Sequence, residues 1–443
     1  MSSSQEAIKQ PLPNPLQKRG RQGDGAVHPS FGGGGGGFWF LTLFAAEEIP
    51  AAIVTYVALL MLLQLGVAPA MATLCSALLF IPWVLKSFMR SWVRRVGHFR
   101  QMLHLIEALL FVSLVFLAFS FRRGPVAVFL ALLLVSLLCA WHELAARMYY
   151  ERMLRPVFQR LLTAPKLAFS QVAVIFTYGA LIFLVGTLQV YFRQMIRYSW
   201  AMGCYVAAGL FLIFFFHHII WLRSPRVGDS GAKHSVGASV KAELRIIDRI
   251  RHQEKWWQPV LVLFLLLLPQ GLMFFARVLY LYMSRAQDGL GCSMQEIGFA
   301  QGTVGVIAFS VGLFLGRRLI KHYSLERLFW PLALSIVLSP FVYYGMTIRQ
   351  PESLWQLCLC TMTAQLLFGL GLGVCRLPVS AISGARYRNT INMLQIPLVS
   401  AALLLPMAAS GWLVSQLGFS SFFLLNALSA PLCLLGISIL RWL

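Results

Sequence analysis

Charged residues are scarce in this sequence, and acidic residues are the scarcest of them. Only 12% of the 443 residues are charged, whereas 58% are hydrophobic and the mean hydropathy is +0.73. Soluble domains are about 25% charged and about 45–50% apolar, so this composition excludes a mainly soluble protein. We therefore expect an integral membrane protein, in contact with a lipid bilayer, whose functional site lies within its helix bundle.

Long polar segments are also few, and twelve apolar stretches are long enough to cross a bilayer. The predicted spans are residues 38–64, 70–88, 102–121, 125–150, 167–191, 199–222, 258–284, 297–320, 325–346, 354–376, 391–416 and 419–440. A glycine-rich tail precedes them and is predicted to be disordered and cytoplasmic. The chain thus divides into a tail, a six-helix bundle, a basic cytoplasmic linker with eight Lys or Arg, and a second six-helix bundle, over residues 1–37, 38–222, 223–257 and 258–443.

Positive charge is nearly missing from one set of loops. Lys and Arg are concentrated in the tail and after the even-numbered spans, while the remaining loops hold Arg122, Arg123, Arg193, Arg197, Arg285 and Arg349. Because cytoplasmic loops carry an excess of Lys and Arg, this bias predicts that both termini are cytoplasmic. The bias also accounts for the formal net charge of +22, so a nucleic-acid partner is not expected.

Motifs for covalent or metal chemistry are missing as well. The eight cysteines lie singly, mostly inside apolar spans, and indicate neither a disulfide framework nor a metal cage. The spans contain no nucleophile with a base, no metal set of His and carboxylate, and no phosphate-binding Gly-Lys motif. The sequence therefore argues against an enzyme and predicts no cofactor and no metal.

Two adjacent carboxylates, Glu47 and Glu48, interrupt the first span just before Pro50. At about 1.5 Å per residue they lie roughly 13 Å inside the membrane, where an ionised carboxylate costs several kcal/mol unless it faces the bundle interior. Pro50 frees a backbone carbonyl one turn earlier, so we expect a kink there. Two interpretations remain open, an ion pair with a basic residue of a neighbouring helix or a proton or substrate site.

More charged residues lie near the ends of spans 2, 3 and 4. Lys86 still falls within the apolar stretch of span 2, and Glu107 on span 3 is either its counter-ion or a snorkelling carboxylate. On span 4, Glu143 and Arg147 are four residues apart and share a helix face, which predicts an intrahelical ion pair. This pair is either a salt bridge at the cytoplasmic end or part of the site.

Three other polar residues inside the spans are interpreted as structural. Arg277 falls near the outer end of span 7, where a long side chain is expected to snorkel toward the interface. His217 and His218 lie near the end of span 6, flanked by aromatic residues. Such histidines are more often structural than proton-relay groups.

The second bundle is poor in charge and rich in small residues. Span 8 carries glycines partly at four-residue spacing, which permits close contact between helices, namely Gly298, Gly302, Gly305, Gly312 and Gly316. Breaks in spans 10 and 11, near which a solute could bind, are predicted by Gly369, Gly371, Gly373, Pro397 and Pro406. The polar residues that could line a site there are Gln365, Asn392 and Gln395.

Three stretches carry more extended motifs. They are FAAEEIP at 44–50 with IPWVLKSFMRSWVRR at 81–95, AWHELAARMYY at 140–150, and IGFAQGTVGVIAFSVGLFLGRRLIKHYSLERL at 297–328. Together they resemble the AmpG-like anhydromuropeptide permeases and the related acetyl-CoA transporter branch of the major facilitator superfamily. The sequence departs from that family at three positions. Arg94 and Arg147 stand where the family has aspartates, and Gln365 stands at about the position where the family has an acidic pair.

This resemblance implies an all-α membrane protein with the major facilitator fold, about twelve helices in two six-helix bundles. It implies a permease of a bacterial inner membrane that imports a small polar solute, such as a peptidoglycan fragment, together with protons. We expect a monomer in which the bundles rock around a central site. The alternatives are a transporter-shaped sensor or scaffold, or a facilitator of a different substrate.

Overall fold

A computed structural model describes residues 39–89, 93, 98–154, 156–222, 245, 248, 252, 255–383 and 388–439. The predicted tail, most of the predicted linker and the residues Arg90, Arg94 and Arg95 lie outside these ranges. Every regular element in the described ranges is a helix. Ten helices are long and apolar enough to span a membrane, and Pro69–Val84 and Phe419–Leu435 are shorter apolar helices.

The helices match the twelve predicted spans in order. Spans 1 to 6 are Trp39–Gln64, Pro69–Val84, Phe99–Ser120, Pro125–Met153, Thr163–Tyr191 and Ile196–Trp221. Spans 7 to 12 are Trp257–Tyr282, Met294–His322, Leu325–Ile348, Leu354–Ser380, Arg388–Leu417 and Phe419–Ile439. The chain is therefore an all-helical membrane protein, and the twelve helices agree with the predicted number.

Local sequence explains several of the helix ends. Gly124 precedes span 4 with φ of 106°, a conformation open to glycine, and Pro125 supplies the fixed φ of a first helical turn. Span 8 begins with a capping box in which the Ser293 side chain accepts from the Glu296 amide and the Glu296 carboxylate accepts from the Ser293 amide. These signals fix where spans 4 and 8 begin, so that short loops connect each of them to the preceding span.

Apolar side chains cover the surface of the spans, as contact with lipid requires. On span 3 one stripe is between 44% and 60% exposed, formed by Leu105, Leu109, Val112, Phe116 and Phe119. The opposite stripe is at most 4% exposed, formed by Leu103, Ile106, Leu110, Leu114 and Leu117. A helix that is apolar on both faces yet buried on only one is placed between a protein core and a hydrocarbon phase.

Irregular segments interrupt five spans of the described chain, and in span 2 a turn at Leu79 and Phe80 separates Pro69–Leu78 from Ile81–Val84. A π-helical segment, Ile53–Val57, begins three residues after Pro50, whereas the α-helix Trp39–Ala52 continues through Pro50. The kink at Pro50 stays a prediction. Other π-helical segments are Ile175–Ala180 in span 5 and Gly298–Gly305 in span 8, and span 10 passes through a 3₁₀ segment at Leu372–Cys375.

The predicted break in span 11 is wrong. Arg388–Leu417 is one continuous helix that contains Pro397 and Pro406. An added Cβ at Gly271 of span 7 would lie 2.7 Å from Pro406 Cβ, so glycine leaves the space that the proline ring occupies. Packing of this kind lets a membrane helix tolerate proline without breaking.

The two halves meet where span 5 contacts span 8 and where span 2 contacts span 11. An added Cβ at Gly298 would lie 2.8 Å from the Gly179 carbonyl oxygen, and one at Gly302 would strike the Tyr178 backbone. Only glycine permits this backbone approach between spans 5 and 8. The same holds between spans 8 and 10, where an added Cβ at Gly312 would clash with the Leu366 backbone. The prediction of close helix contact along span 8 is therefore confirmed.

Candidate functional site

Lys86 and Glu143 form an ion pair between spans 2 and 4, inside the first half. Lys86 is 4% exposed, and the Trp83 indole Nε1 donates to Glu143 Oε2 over 3.0 Å. Of the two alternatives for Glu107, a counter-ion of Lys86 or a snorkelling carboxylate, the first is not found, because Lys86 pairs with Glu143. Glu143 takes the role because its turn of span 4 faces the end of span 2.

Arg147 makes its ion pair one turn further along span 4 than predicted. Its Nε lies 3.1 Å from Glu151 Oε1, on a part of the helix where both side chains are at least 31% exposed. The predicted pair between Glu143 and Arg147 therefore gives way to two pairs, one buried and one at the surface. A surface pair of this kind contributes little to stability, on the order of 0–1 kcal/mol.

Glu47 and Glu48 lie in the same region, on span 1. Glu47 Oε2 is buried and has no hydrogen-bond partner among the described residues. Glu48 is half-buried on the same span. The charges of Lys86, Glu143 and a second lysine, Lys166, act on both carboxylates.

Lys166 is a site residue that the sequence reasoning missed. Its Nζ lies 3.5 Å from the centroid of the Phe44 ring and 5.4 Å from that of Tyr150, so cation–π contacts hold it against span 1. The signal was present, because Lys166 directly precedes the predicted start of span 5 while the helix actually begins at Thr163. We call Glu47, Glu48, Lys86, Glu143 and Lys166 the charged cluster.

Glu107 belongs to a second, separate group of buried residues. Its Oε1 lies 3.2 Å from His142 Nε2 and 2.6 Å from His218 Nδ1, and all three side chains are at most 1% exposed. His218 Nε2 lies 3.1 Å from Thr42 Oγ1, which lies 3.1 Å from His217 Nδ1. Glu107 thus pairs with histidines and does not snorkel, and the chain of contacts joins spans 1, 3, 4 and 6.

Arg277 is buried, contrary to the prediction that it snorkels. It is 7% exposed, and its Nε has no hydrogen-bond partner among the described residues. Its Cζ lies 5.3 Å from the centroid of the Phe274 ring. The helix face that carries Arg277 points to the first half, where its charge acts on the hydroxyls of Tyr56 and Tyr178.

The second half also contains buried amide and hydroxyl groups that are hydrogen-bonded to one another. Gln301 Nε2 donates to Tyr343 Oη over 3.0 Å, and Gln365 Nε2 reaches Gln301 Oε1 at 3.5 Å. Gln365 thus contacts another polar side chain, and its role in lining a solute site stays a prediction. The side chains of Asn392 and Gln395 lie outside the described residues.

These groups can bind charges and move protons, and they show no arrangement for metal chemistry. In the part of the chain that the structure describes, no three His, Cys, Asp or Glu side chains are placed to hold a metal ion. Acidic and basic groups lie inside spans 1, 2, 4, 5 and 7, where they are costly unless they serve a pathway through the membrane.

Comparisons with known proteins identify the fold. No protein-family model matches the sequence, and no curated protein matches it. The nucleoside transporter NupG is similar over 91% of this chain and 98% of that chain, with 12% identity and a TM-score of 0.68. A bacterial homologue of the human lysosomal transporter Spinster, inward-facing and occupied, shares 14% identity over 91% of this chain and 94% of that chain, with a TM-score of 0.68.

The peptide transporter POT is a third similar structure, with 13% identity, a TM-score of 0.65, and coverage of 91% of this chain and 94% of that chain. At such low identities the likeness shows the fold alone. The chain has the major facilitator fold, with its helices in two six-helix bundles, as the sequence predicts.

Proposed function

We propose that this protein is a secondary active transporter that works by alternating access. The observation that carries the proposal is the charged cluster, five ionisable side chains that spans 1, 4 and 5 and the segment just after span 2 bring together within the first half. A buried ionised residue is costly, and membrane proteins keep it mainly along substrate, ion and proton pathways. The major facilitator fold supports the same conclusion, because its halves rock around a site near the bilayer midplane.

The charged cluster is suited to carry a proton. It holds three carboxylates and two lysines, so with every group ionised one carboxylate has no counter-charge. A single proton makes the cluster neutral, and Glu47 is our candidate for the carboxylate that takes it, because its Oε2 has no partner among the described residues. Lys86 is already paired with Glu143, so it supports the site and is not free to serve Glu47.

The first substrate to test is a peptidoglycan fragment, imported with protons. Support for it comes from the sequence resemblance to AmpG-like permeases, whose substrates carry carboxylates that basic side chains could attract. The same resemblance supports a bacterial inner membrane, and the distribution of Lys and Arg supports cytoplasmic termini. We take the working unit to be a monomer.

Uptake into vesicles tests this proposal. Labelled anhydromuropeptide is offered to inverted and right-side-out vesicles, with and without a pH gradient, for the parent and for Glu47→Gln. We expect gradient-driven uptake that Glu47→Gln abolishes, whereas Glu352→Gln, an exposed acid outside the spans, leaves uptake unchanged. Absence of uptake and of counterflow in the parent would set aside muropeptide import and favour the sensor or scaffold, or a different substrate.

A further inference from the structure

We propose that Arg277 and the groups around it form a subsite for a small anion, a carboxylate or a phosphate, that is carried on a ring. The subsite joins Tyr56 and Tyr178 of the first half, which stack with one another, to Phe274 and Arg277 of the second: the Tyr56 ring lies 5.8 Å from the Phe274 ring, and Arg277 Cζ lies 5.3 Å from that ring. The inference rests on the proposed transporter function and specifies the chemistry of its substrate. It shares no residue with the charged cluster, and it adjoins that cluster where the charge of Glu48 acts on Tyr56.

Arg277 is a buried cation whose Nε has no hydrogen-bond partner among the described residues. It is more than nine-tenths buried, and the described residues provide it with neither a carboxylate nor a hydrogen-bond acceptor. The face of the Phe274 ring at 5.3 Å compensates only in part for the lost hydration. A guanidinium presents several N–H donors in a planar fork that matches the oxygens of a carboxylate or phosphate.

The hydroxyl of Tyr178 is without a partner in the same way. Tyr178 Oη is buried and has no hydrogen-bond partner among the described residues, and the charge of Arg277 acts on it. Buried polar groups are nearly always hydrogen-bonded, so the unpartnered Nε of Arg277 together with the unpartnered hydroxyl of Tyr178 indicates a missing ligand.

An aromatic surface lies beside these polar groups. The Tyr56 ring is stacked with Tyr178 at a centroid distance of 4.9 Å and with Phe274 at 5.8 Å. Phe80 meets Phe274 edge to face at 5.8 Å. A flat aromatic platform next to a cation recognises a ligand with a ring on one side and a negative charge on the other.

The position of the subsite links ligand binding to movement of the halves. Tyr56 and Tyr178 belong to spans 1 and 5, whereas Arg277 and Phe274 belong to span 7, so the stack crosses the boundary between the halves. A ligand that bridges both halves favours the arrangement in which they are together. The amides of Gln301 and Gln365, joined at a long 3.5 Å, are available to the neutral part of the ligand.

A structural role for Arg277 predicts the opposite effect on stability. If Arg277 held the fold together, its removal would destabilise the ligand-free protein. If it is an unpaired buried charge, Arg277→Gln stabilises the ligand-free protein, because the desolvated cation is gone. The sign of the change in melting temperature therefore separates the two roles before any ligand is added.

Binding to the purified full chain in detergent tests the subsite. Two matched pairs of probes are used: uridine with uridine 5′-monophosphate, and N-acetylglucosamine with N-acetylmuramic acid. Each pair shares a ring, and only the second member carries an anion, a phosphate in one pair and a carboxylate in the other. The variants are Arg277→Gln, Arg277→Lys, which keeps the charge, and Arg349→Gln, an exposed arginine outside the spans.

We expect at least one anion to raise the melting temperature of the parent and its neutral partner to leave it unchanged. Arg277→Gln should weaken that anion by about tenfold or more, Arg277→Lys by less, and Arg349→Gln not at all. Which pair responds tells carboxylate from phosphate. Binding of neither anion, equal binding of neutral and anionic partners, or full affinity in a stably folded Arg277→Gln would each overturn the subsite.

The two proposals fail in different ways. Anions that bind through Arg277 without uptake or counterflow in vesicles would overturn the transporter and leave the subsite standing. Gradient-driven uptake that survives Arg277→Gln with unchanged affinity would overturn the subsite and leave the transporter standing.

Discussion

At the scale of single residues, the structure depends on which side chain compensates each buried charge. Lys86 and Glu143 are both inside the protein, where each removes the cost of burying the other. Replacing one partner leaves a buried charge without a counter-charge. Replacing both partners with apolar residues leaves no buried charge at all. The pair is therefore open to test by a double-mutant cycle.

We expect Glu143→Gln to destabilise the protein by about 3–5 kcal/mol, because it leaves the Lys86 ammonium buried and unpaired. The double variant Lys86→Met with Glu143→Leu should recover most of that loss. The measurement is the free energy of unfolding in a denaturing-detergent titration. Glu151→Gln is the matched control on the same helix, and it should change stability by less than about 1 kcal/mol, since its pair is exposed. Equal losses of stability in Glu143→Gln and Glu151→Gln would contradict a stabilising buried pair of Lys86 and Glu143.

Glu107 gives a second prediction for a buried carboxylate, with histidines as its partners. Glu107→Gln keeps the shape of the side chain and removes the charge to which His142 and His218 are bonded. Hydrogen bonds to a charged group contribute about 1.5–3 kcal/mol, so we expect a loss within that range.

The same unfolding titration measures the effect of Glu107→Gln, with Glu352→Gln as an exposed control. No loss of stability would show that the histidine contacts do not hold spans 3, 4 and 6 together. A loss that Glu107→Asp shares would show that the position of the carboxylate matters as well as its charge.

At the scale of helices, the sequence was sufficient for the spans and insufficient for their contacts. Span order follows from apolar runs, which are local, and the close approach of span 8 follows from glycines whose lack of a side chain is also local. The partner of Lys86 could not be derived from the sequence, because it depends on how spans 2, 3 and 4 are rotated about their axes. The prediction for Arg277 was wrong because it used only the position of Arg277 along span 7, and the sequence does not show that this face of the helix is turned toward the protein interior.

The glycines of span 8 provide a prediction at this scale. Gly302→Ala would place a Cβ against the Tyr178 backbone, which cannot move as a side chain can, so spans 5 and 8 must separate. We expect a lower melting temperature and lost or slowed uptake. The control is Gly345→Ala in span 9, where nothing lies within 4 Å of the added Cβ. There alanine should stabilise the helix by about 0.5–1 kcal/mol. Destabilisation by both substitutions alike would contradict the close contact.

At the scale of the whole molecule, the question is whether the two halves separate during the transport cycle. Spans 5 and 8 are in contact in the structure, and the Ser310 hydroxyl donates to Gln171 Oε1 over 3.0 Å across the boundary. Alternating access requires such contacts between bundles to break and reform in each cycle. A scaffold that never moves would not require it.

A cross-link between Gln171→Cys and Ser310→Cys, made in a chain whose eight cysteines are replaced, tests this movement. Because the native contact is made by the end of the long Gln171 side chain, the two thiols are joined through a short bifunctional thiol reagent that contains a disulfide and not by direct oxidation. We expect the cross-linked protein to lose counterflow and to regain it when a reductant cleaves the disulfide of the reagent. Each single cysteine variant, treated in the same way, should keep its activity. Undiminished counterflow in the fully cross-linked protein would mean that spans 5 and 8 stay together throughout transport, and the rocking mechanism would be wrong.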